Sequence, residues 1–153
     1  MDISEVLTEA VQHFKLAVQD KQGWIDLNIT EGNYSYFGDR TQFKSALTNL
    51  IDNAVKYSNG TPKISIQMTH STKAFTILVR DRGIGMDEDT LNQVFDRFYR
   101  ATKGNIHDVK GHGLGLSFVK EIIEKHQGTI SVQSVEGEGT TFKVVLENIP
   151  HND

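Results

Sequence analysis

The chain has 153 residues, no cysteine and a formal net charge of −4 at neutral pH. That length suits one domain able to bury its own core, and the missing thiols exclude a disulfide scaffold, a cysteine zinc site and thiol catalysis. Lys and Arg are scattered along an acidic chain, so the basic stripe required by a nucleic-acid partner is absent, although a local anion site remains possible.

Taken in chain order, Asp2 or Ser4 can cap a first helix, in which Val6, Leu7, Ala10, Val11 and Phe14 recur at helical spacing as far as about Val18. Residues 24–29 alternate as a strand, and 34–37 read as a short second strand. Asp39 caps a long helix reaching Tyr57, its end marked by Ser58, Asn59 and Gly60. Two alternating strands follow at 63–68 and 75–81, then a short helix that starts at Asp87 or Asp89 and runs toward Phe95. Residues 101–112 carry no usable periodicity and read as a mobile loop, and 114–126 form a helix ending at Gly128. The strands 129–135 and 140–146 pair as a hairpin across Gly137, Glu138 and Gly139. No run approaches the ~18 to 20 apolar residues needed to span a bilayer. The acidic opening, with Asp2 and Glu5, is unlike a signal peptide. Helices interspersed with mostly hairpin-linked strands predict an α+β fold, a two-layer α/β sandwich whose mixed, mostly antiparallel sheet packs on about three helices.

Three elements carry chemistry. On the long helix, Phe43, Ala46, Leu47, Leu50, Ile51 and Ala54 form the core stripe, bordered by Asn49, Asn53 and Lys56 at i, i+4 and i+7. A polar flank bonding a neighbouring loop would explain one such Asn. Two amides and a cation on one line point instead to a shared anion and metal site, with Asn53 suited to Mg²⁺, which takes hard oxygen ligands and few from protein. Along the second of the paired strands, Phe75, Ile77 and Val79 point inward, and the period of two carries Asp81 onto the same face. A buried carboxylate needs partners, and Gly83 and Gly85 directly after it permit a tight turn. These residues are compatible with an ordinary Asp-Gly turn or with a carboxylate reading an adenine amino group. Residues 111–116, GHGLGL, open into a helix whose free N–H groups and dipole suit phosphate. They are not the dinucleotide fingerprint, and the absence of any Gly-Lys pair excludes a P-loop. The eukaryotic-type kinase motifs are missing too.

In order, these pieces resemble the ATP-binding catalytic domain of sensor histidine kinases, in the GHKL (HATPase-type) superfamily shared with gyrase, mismatch-repair MutL and a heat-shock chaperone. NLIDNAVKYS at 49–58 resembles the N box and DRGIGM at 81–86 the first glycine box. FDRFYR at 95–100 resembles the F box, GHGLGL at 111–116 the second glycine box, and GEGTTF at 137–142 the closing turn and strand. Any one box is ambiguous, but five in family order are not. The resemblance covers essentially the whole chain and implies one Bergerat-type ATP-binding domain over residues 1–150 with a tail at 151–153.

By resemblance, Asn53 ligates Mg²⁺, Asn49 supports the same phosphates, Lys56 neutralises phosphate charge and Tyr57 packs near the nucleotide. Asp81 reads adenine while Gly83 and Gly85 let its pocket close, and Thr140 also belongs to the nucleotide-binding set. Arg100, with Arg97, reaches the γ-phosphate; residues 101–110 are the ATP lid; Gly111, Gly113, Leu114, Gly115 and Leu116 lie against the phosphates, where His112 is either exposed or adds charge at low pH. Phosphoryl transfer is mostly positioning and charge neutralisation, which such residues supply. Hydrolytic relatives place a Glu where Asn49 stands, and an amide cannot act as a base, so transfer is favoured over hydrolysis. The alternatives are a hydrolytic ATPase fragment and a non-catalytic nucleotide-binding module. Among the six histidines only His107 precedes an acid, Asp108, and it reads as a solvated loop residue. The acceptor histidine is therefore expected on a dimerisation hairpin supplied by other sequence, with a response regulator downstream. The expectation is a cytoplasmic portion of a membrane-anchored kinase, itself making no membrane or nucleic-acid contact and monomeric when isolated.

Overall fold

The computed structural model describes residues 1–58, 60–97 and 115–148. Helix α1 (Ile3–Asp20) starts at Asp2, whose carboxylate accepts the N–H of Ser4, and it buries Ile3, Val6, Leu7, Ala10, Val11, Phe14 and Val18. Strand β1 (Trp24–Ile29) follows, then helix α2 (Arg40–Lys56). Asp39 caps α2 by accepting the N–H of Gln42, and an uninterrupted run free of Gly and Pro turns Phe43, Ala46, Leu47, Leu50, Ile51, Ala54 and Val55 inward. Strands β2 (Lys63–His70) and β3 (Ala74–Asp81), the short helix α3 (Glu88–Gln93), helix α4 (Gly115–Lys125) and strands β4 (Gly128–Val135) and β5 (Gly139–Glu147) complete the order.

The sheet runs β1-β2-β3-β5-β4. β2–β3, β3–β5 and β4–β5 are antiparallel, whereas β1 and β2 are parallel, joined by the crossover through α2. Ile64, Ile66 and Met68 of β2, Phe75, Ile77 and Val79 of β3, and Phe142, Val144 and Leu146 of β5 form one buried face, and α1, α2 and α4 pack with them into a single core. The opposite face carries Lys63, Ser65, Gln67, Arg80, Thr141 and Lys143 together with Trp24, Leu78 and Val145, none of them fully buried. The fold is the expected α+β sandwich, with α3 contributing no buried residue.

Residues 34–37 do not form a second strand. Ile3 donates to the Tyr34 carbonyl and Tyr36 to that of Met1, leaving an isolated bridge between Asp2 and Ser35. Its partner segment turns into α1 at once, so no ladder can extend. Tyr34 is buried by a different contract: its hydroxyl meets Thr30 Oγ1 at 2.9 Å and donates to the Thr30 carbonyl at 3.0 Å.

Helices α2 and α4 are joined at the start of α2 by His126. Its Nε2 accepts the Asp39 N–H at 2.9 Å, its Nδ1 meets the Ile122 carbonyl at 2.8 Å, and its ring lies edge-on to Phe43. The Tyr36 hydroxyl donates to the His126 carbonyl. The start of α2 is thus tied both to its own cap and to the end of α4. Asp39→Ala is expected to cost about 1 kcal/mol of stability, read as a lower urea midpoint with an unchanged m-value; an unmoved midpoint would show that the cap contributes nothing.

Candidate functional site

Three chain segments meet at the C-terminal ends of α2 and β3. The helix ends at Tyr57, whose carbonyl accepts the N–H of Ile84 at 3.1 Å. A Cβ at Gly83 would lie 2.1 Å from that same carbonyl, so only glycine allows the loop after β3 to lie against the helix end. On its other side the loop meets the β4–β5 hairpin: Gly137 donates to the Ile84 carbonyl at 2.7 Å, and Met86 donates to Ser134 Oγ at 2.8 Å. Gly85 has φ +68 and its Cβ would fall 2.1 Å from the Val135 carbonyl, so conformation and space both exclude a side chain there.

Asp81 sits at the centre of this convergence and is only 6% exposed. Its Oδ1 accepts the N–H of Gly83 at 2.9 Å and that of Thr140 at 3.2 Å. Oδ2 makes no hydrogen bond among the described residues. Burial pushes the carboxyl above its ordinary value, and the two N–H donors work in the opposite direction. Thr140 is equally buried, and its Oγ1 lies 2.8 Å from Ser134 Oγ.

Along α2 the polar border is half-buried, as the helical spacing predicts. Asn53 lies one turn before Tyr57, and its side-chain amide makes no hydrogen bond among the described residues. Asn49 turns its amide N–H back onto the Ser45 carbonyl at 3.0 Å. Lys56 Nζ lies 2.7 Å from Asp52, an acid one turn earlier that the reading of the sequence passed over although Glu or Asp four residues before Lys is a recognisable pairing signal. Tyr57, Asp81, Gly83, Gly85 and Thr140 are thus gathered at one edge of the sandwich, and Asn53 stands on α2 one helical turn before Tyr57.

Beyond α3, Phe95 packs edge-on to Phe142 with centroids 6.2 Å apart, and Lys120 of α4 lies 5.5 Å over its ring. This anchors the start of the FDRFYR stretch; Arg97 follows it, exposed. Gly115 opens α4 and Leu116 packs against the core. Arg100, the expected lid at 101–110, Gly111, His112, Gly113 and Leu114 lie outside the described residues, as does His107. Ser134 was missed entirely. A signal existed: the period of two that turns Ile130 and Val132 inward carries a serine onto that same face.

Among the described residues no helix is long and apolar enough to cross a membrane. No group of three or more His, Asp or Glu side chains there could hold a metal.

The family described as histidine kinase-, DNA gyrase B-, and HSP90-like ATPase matches residues 38–149. The sensor protein RprX of Bacteroides fragilis is 38% identical over 148 residues, covering 95% of this chain and 28% of that protein. The sensor-like histidine kinase SenX3 of Mycolicibacterium smegmatis is 34% identical over 150 residues, covering 98% and 39%. The chain therefore spans well under half the length of these relatives. Among solved structures, the mycobacterial sensor histidine kinase MprB superposes with a TM-score of 0.78 at 25% identity, over 98% of this chain and 97% of that one. The catalytic domain of histidine kinase ThkA superposes with a TM-score of 0.82 over 97% and 96%; at 24% identity that likeness speaks for the fold.

Asp81 carries a pH-dependent cost. A carboxyl whose pKa is raised on folding binds its proton more tightly when folded, so its penalty is absent below the ordinary carboxylate value and grows as pH rises through the raised one. Asp81→Asn keeps an oxygen for Gly83 and Thr140 while removing the charge. It is expected to raise the ligand-free melting temperature at pH 7 by about 2–4 °C, with the gain shrinking on acidification; a gain independent of pH would assign it to another cause.

Proposed function

Because the chain belongs to the histidine kinase-, DNA gyrase B-, and HSP90-like ATPase family, we propose that it is the ATP-binding catalytic domain of a two-component sensor histidine kinase. In this reading it transfers the γ-phosphoryl group of Mg-ATP to a histidine on a helical dimerisation hairpin carried by other sequence, for relay to a response regulator. The observation that supports it best is the meeting of the polar edge of α2 with the buried carboxylate of Asp81 at one end of the sandwich.

The half-open carboxylate suits adenine. Oδ1 is consumed by the backbone, and Oδ2 is left to accept the exocyclic amino group. Gly83 and Gly85 keep the loop thin enough to line the base, Thr140 holds the other side, and Tyr57 packs at the helix end. Asn53 fits a magnesium ligand: its amide is half-buried on the helix border and makes no hydrogen bond among the described residues, and Mg²⁺ takes few ligands from protein. When bound, that ion would neutralise charge on the transferring phosphates. Asn49 steadies the same region, and Lys56 brings a positive charge, its stem held along the helix by Asp52, 2.7 Å from its Nζ. Arg97, Arg100 and residues Gly111, Gly113, Leu114, Gly115 and Leu116 complete the phosphate end, with helix amides receiving negative charge.

Transfer is favoured over hydrolysis at position 49. A water-activating carboxylate is missing there, and the Asn49 amide N–H is already spent on Ser45. Mixed with a separately supplied helical hairpin bearing the acceptor histidine, the protein is expected to label that histidine from γ-labelled ATP, with little steady-state turnover alone. Robust turnover without acceptor would instead assign hydrolysis. Asn53→Ala is expected to weaken Mg-dependent ATP binding by about tenfold or more, given the loss of a charge-linked contact; unchanged affinity by calorimetry would remove Asn53 from the metal. Arg100→Ala is expected to slow transfer more than it weakens binding, measured by single-turnover labelling against calorimetric affinity.

A further inference from the structure

One hydroxyl ties together both backbone segments that hold Asp81. Ser134 Oγ accepts the Met86 N–H at 2.8 Å, fixing the far end of the loop whose near end, Gly83, donates to Asp81. The same oxygen donates to the Gly139 carbonyl at 2.9 Å and lies 2.8 Å from Thr140 Oγ1. Thr140 in turn presents its backbone N–H to Asp81 Oδ1. Ser134 and Thr140 stand directly opposite each other in the β4–β5 register, so their side chains share the core face.

The proton inventory settles which way these hydroxyls point. A serine hydroxyl has one proton and two lone pairs. The Gly139 carbonyl can only accept, so the Ser134 proton is used there. The short contact with Thr140 must then be filled by the Thr140 proton, and Ser134 accepts from both Thr140 and Met86. Thr140 Oγ1 is left with lone pairs alone. Beside it, Asp81 is also an acceptor, with Oδ2 open. Two neighbouring acceptors attract an N–H₂ group and repel a carbonyl oxygen.

We propose that Ser134 is a positioning residue that sets the hydrogen-bond polarity of the base-reading edge, making Thr140 an acceptor beside Asp81 so that the site takes the amino group of adenine and turns away the oxygen that guanine carries in its place. This inference rests on the ATP reading above and adds to it the residue that enforces the choice of base. Ser134 touches no nucleotide; it acts through Thr140 and through the spacing of the two donors on Asp81. Alanine at this position would remove the side-chain acceptor of the Met86 N–H and the side-chain donor to the Gly139 carbonyl, and would free the Thr140 hydroxyl to rotate and donate outward, which suits guanine as well as adenine.

The test measures calorimetric affinity for Mg-ATP and Mg-GTP in the unmutated protein and in Ser134→Ala, Ser134→Thr and Ser131→Ala, with far-UV circular dichroism and melting temperature on each. Ser131 lies exposed on the same strand and controls for a general loosening of β4. The expected result is a preference for ATP in the unmutated protein, reduced about tenfold or more in Ser134→Ala and retained in Ser134→Thr and Ser131→Ala. A Ser134→Ala protein that melts lower yet keeps the full preference would overturn the proposal, because a merely structural serine moves stability and not base choice. Should Ser134→Ala fail to fold, Thr140→Val is measured in its place, and an undiminished preference there overturns the proposal equally. An unmutated protein that binds neither nucleotide, or both alike, would sink the ATP reading itself; a preference that survives loss of the serine hydroxyl leaves that reading standing and removes only Ser134.

Discussion

Oδ1 of Asp81 receives two backbone N–H groups, from Gly83 at 2.9 Å and Thr140 at 3.2 Å, and the local backbone is shaped around that shared acceptor. The antiparallel ladder between β3 and β5 ends at Arg80 and Thr141. One step further, a side-chain oxygen takes over from the backbone carbonyl and holds the strands together while the chain turns away. Burying a carboxylate is costly unless it is hydrogen-bonded. Two donors offset only part of that cost, which is why burial still pushes the group above its ordinary value. The residual instability is tolerable if the open oxygen has a ligand to meet, an instance of stability given up where function needs a poised polar group.

The segments around that carboxylate come from element ends rather than element faces. The C-terminus of α2, the loop after β3 and the β4–β5 hairpin each contribute backbone, and they approach so closely that Gly83 and Gly85 leave no room for a methyl group. Such a site has little freedom of its own. Its geometry is inherited from the sheet and helix layers behind it, where Ile64, Ile77, Leu47, Leu50 and Val144 are fully buried. The other end of α2 is held with similar care, since His126 joins the Asp39 cap to the end of α4 through both ring nitrogens. That tie bears on the spacing between α2 and α4.

Much of this was legible before any coordinates. The period of two placed Asp81 on the core face, the helical stripe placed Asn53 and its neighbours on the rim, and Asp39 announced the start of α2. These are local matters: alternation, spacing and capping depend on residues within a turn or a strand of one another. The order of the five motifs identified the family, because order along the chain is itself a sequence property.

Other features belonged to the tertiary structure. Residues 34–37 read as a short strand, yet their partner at residues 1–3 is too short for a ladder. Parallel pairing of β1 with β2 depends on a crossover whose outcome is decided by packing. The role of Ser134 depends on where a single proton goes, which in turn depends on Gly139, Thr140 and Met86 being brought within 3 Å of one oxygen. From residue types and periodicity alone the sequence determined which side chains face the core and which chemistry they carry. Only folding decided their partners, because a hydrogen bond between residues 48 apart exists nowhere until the backbone brings both ends to the same place.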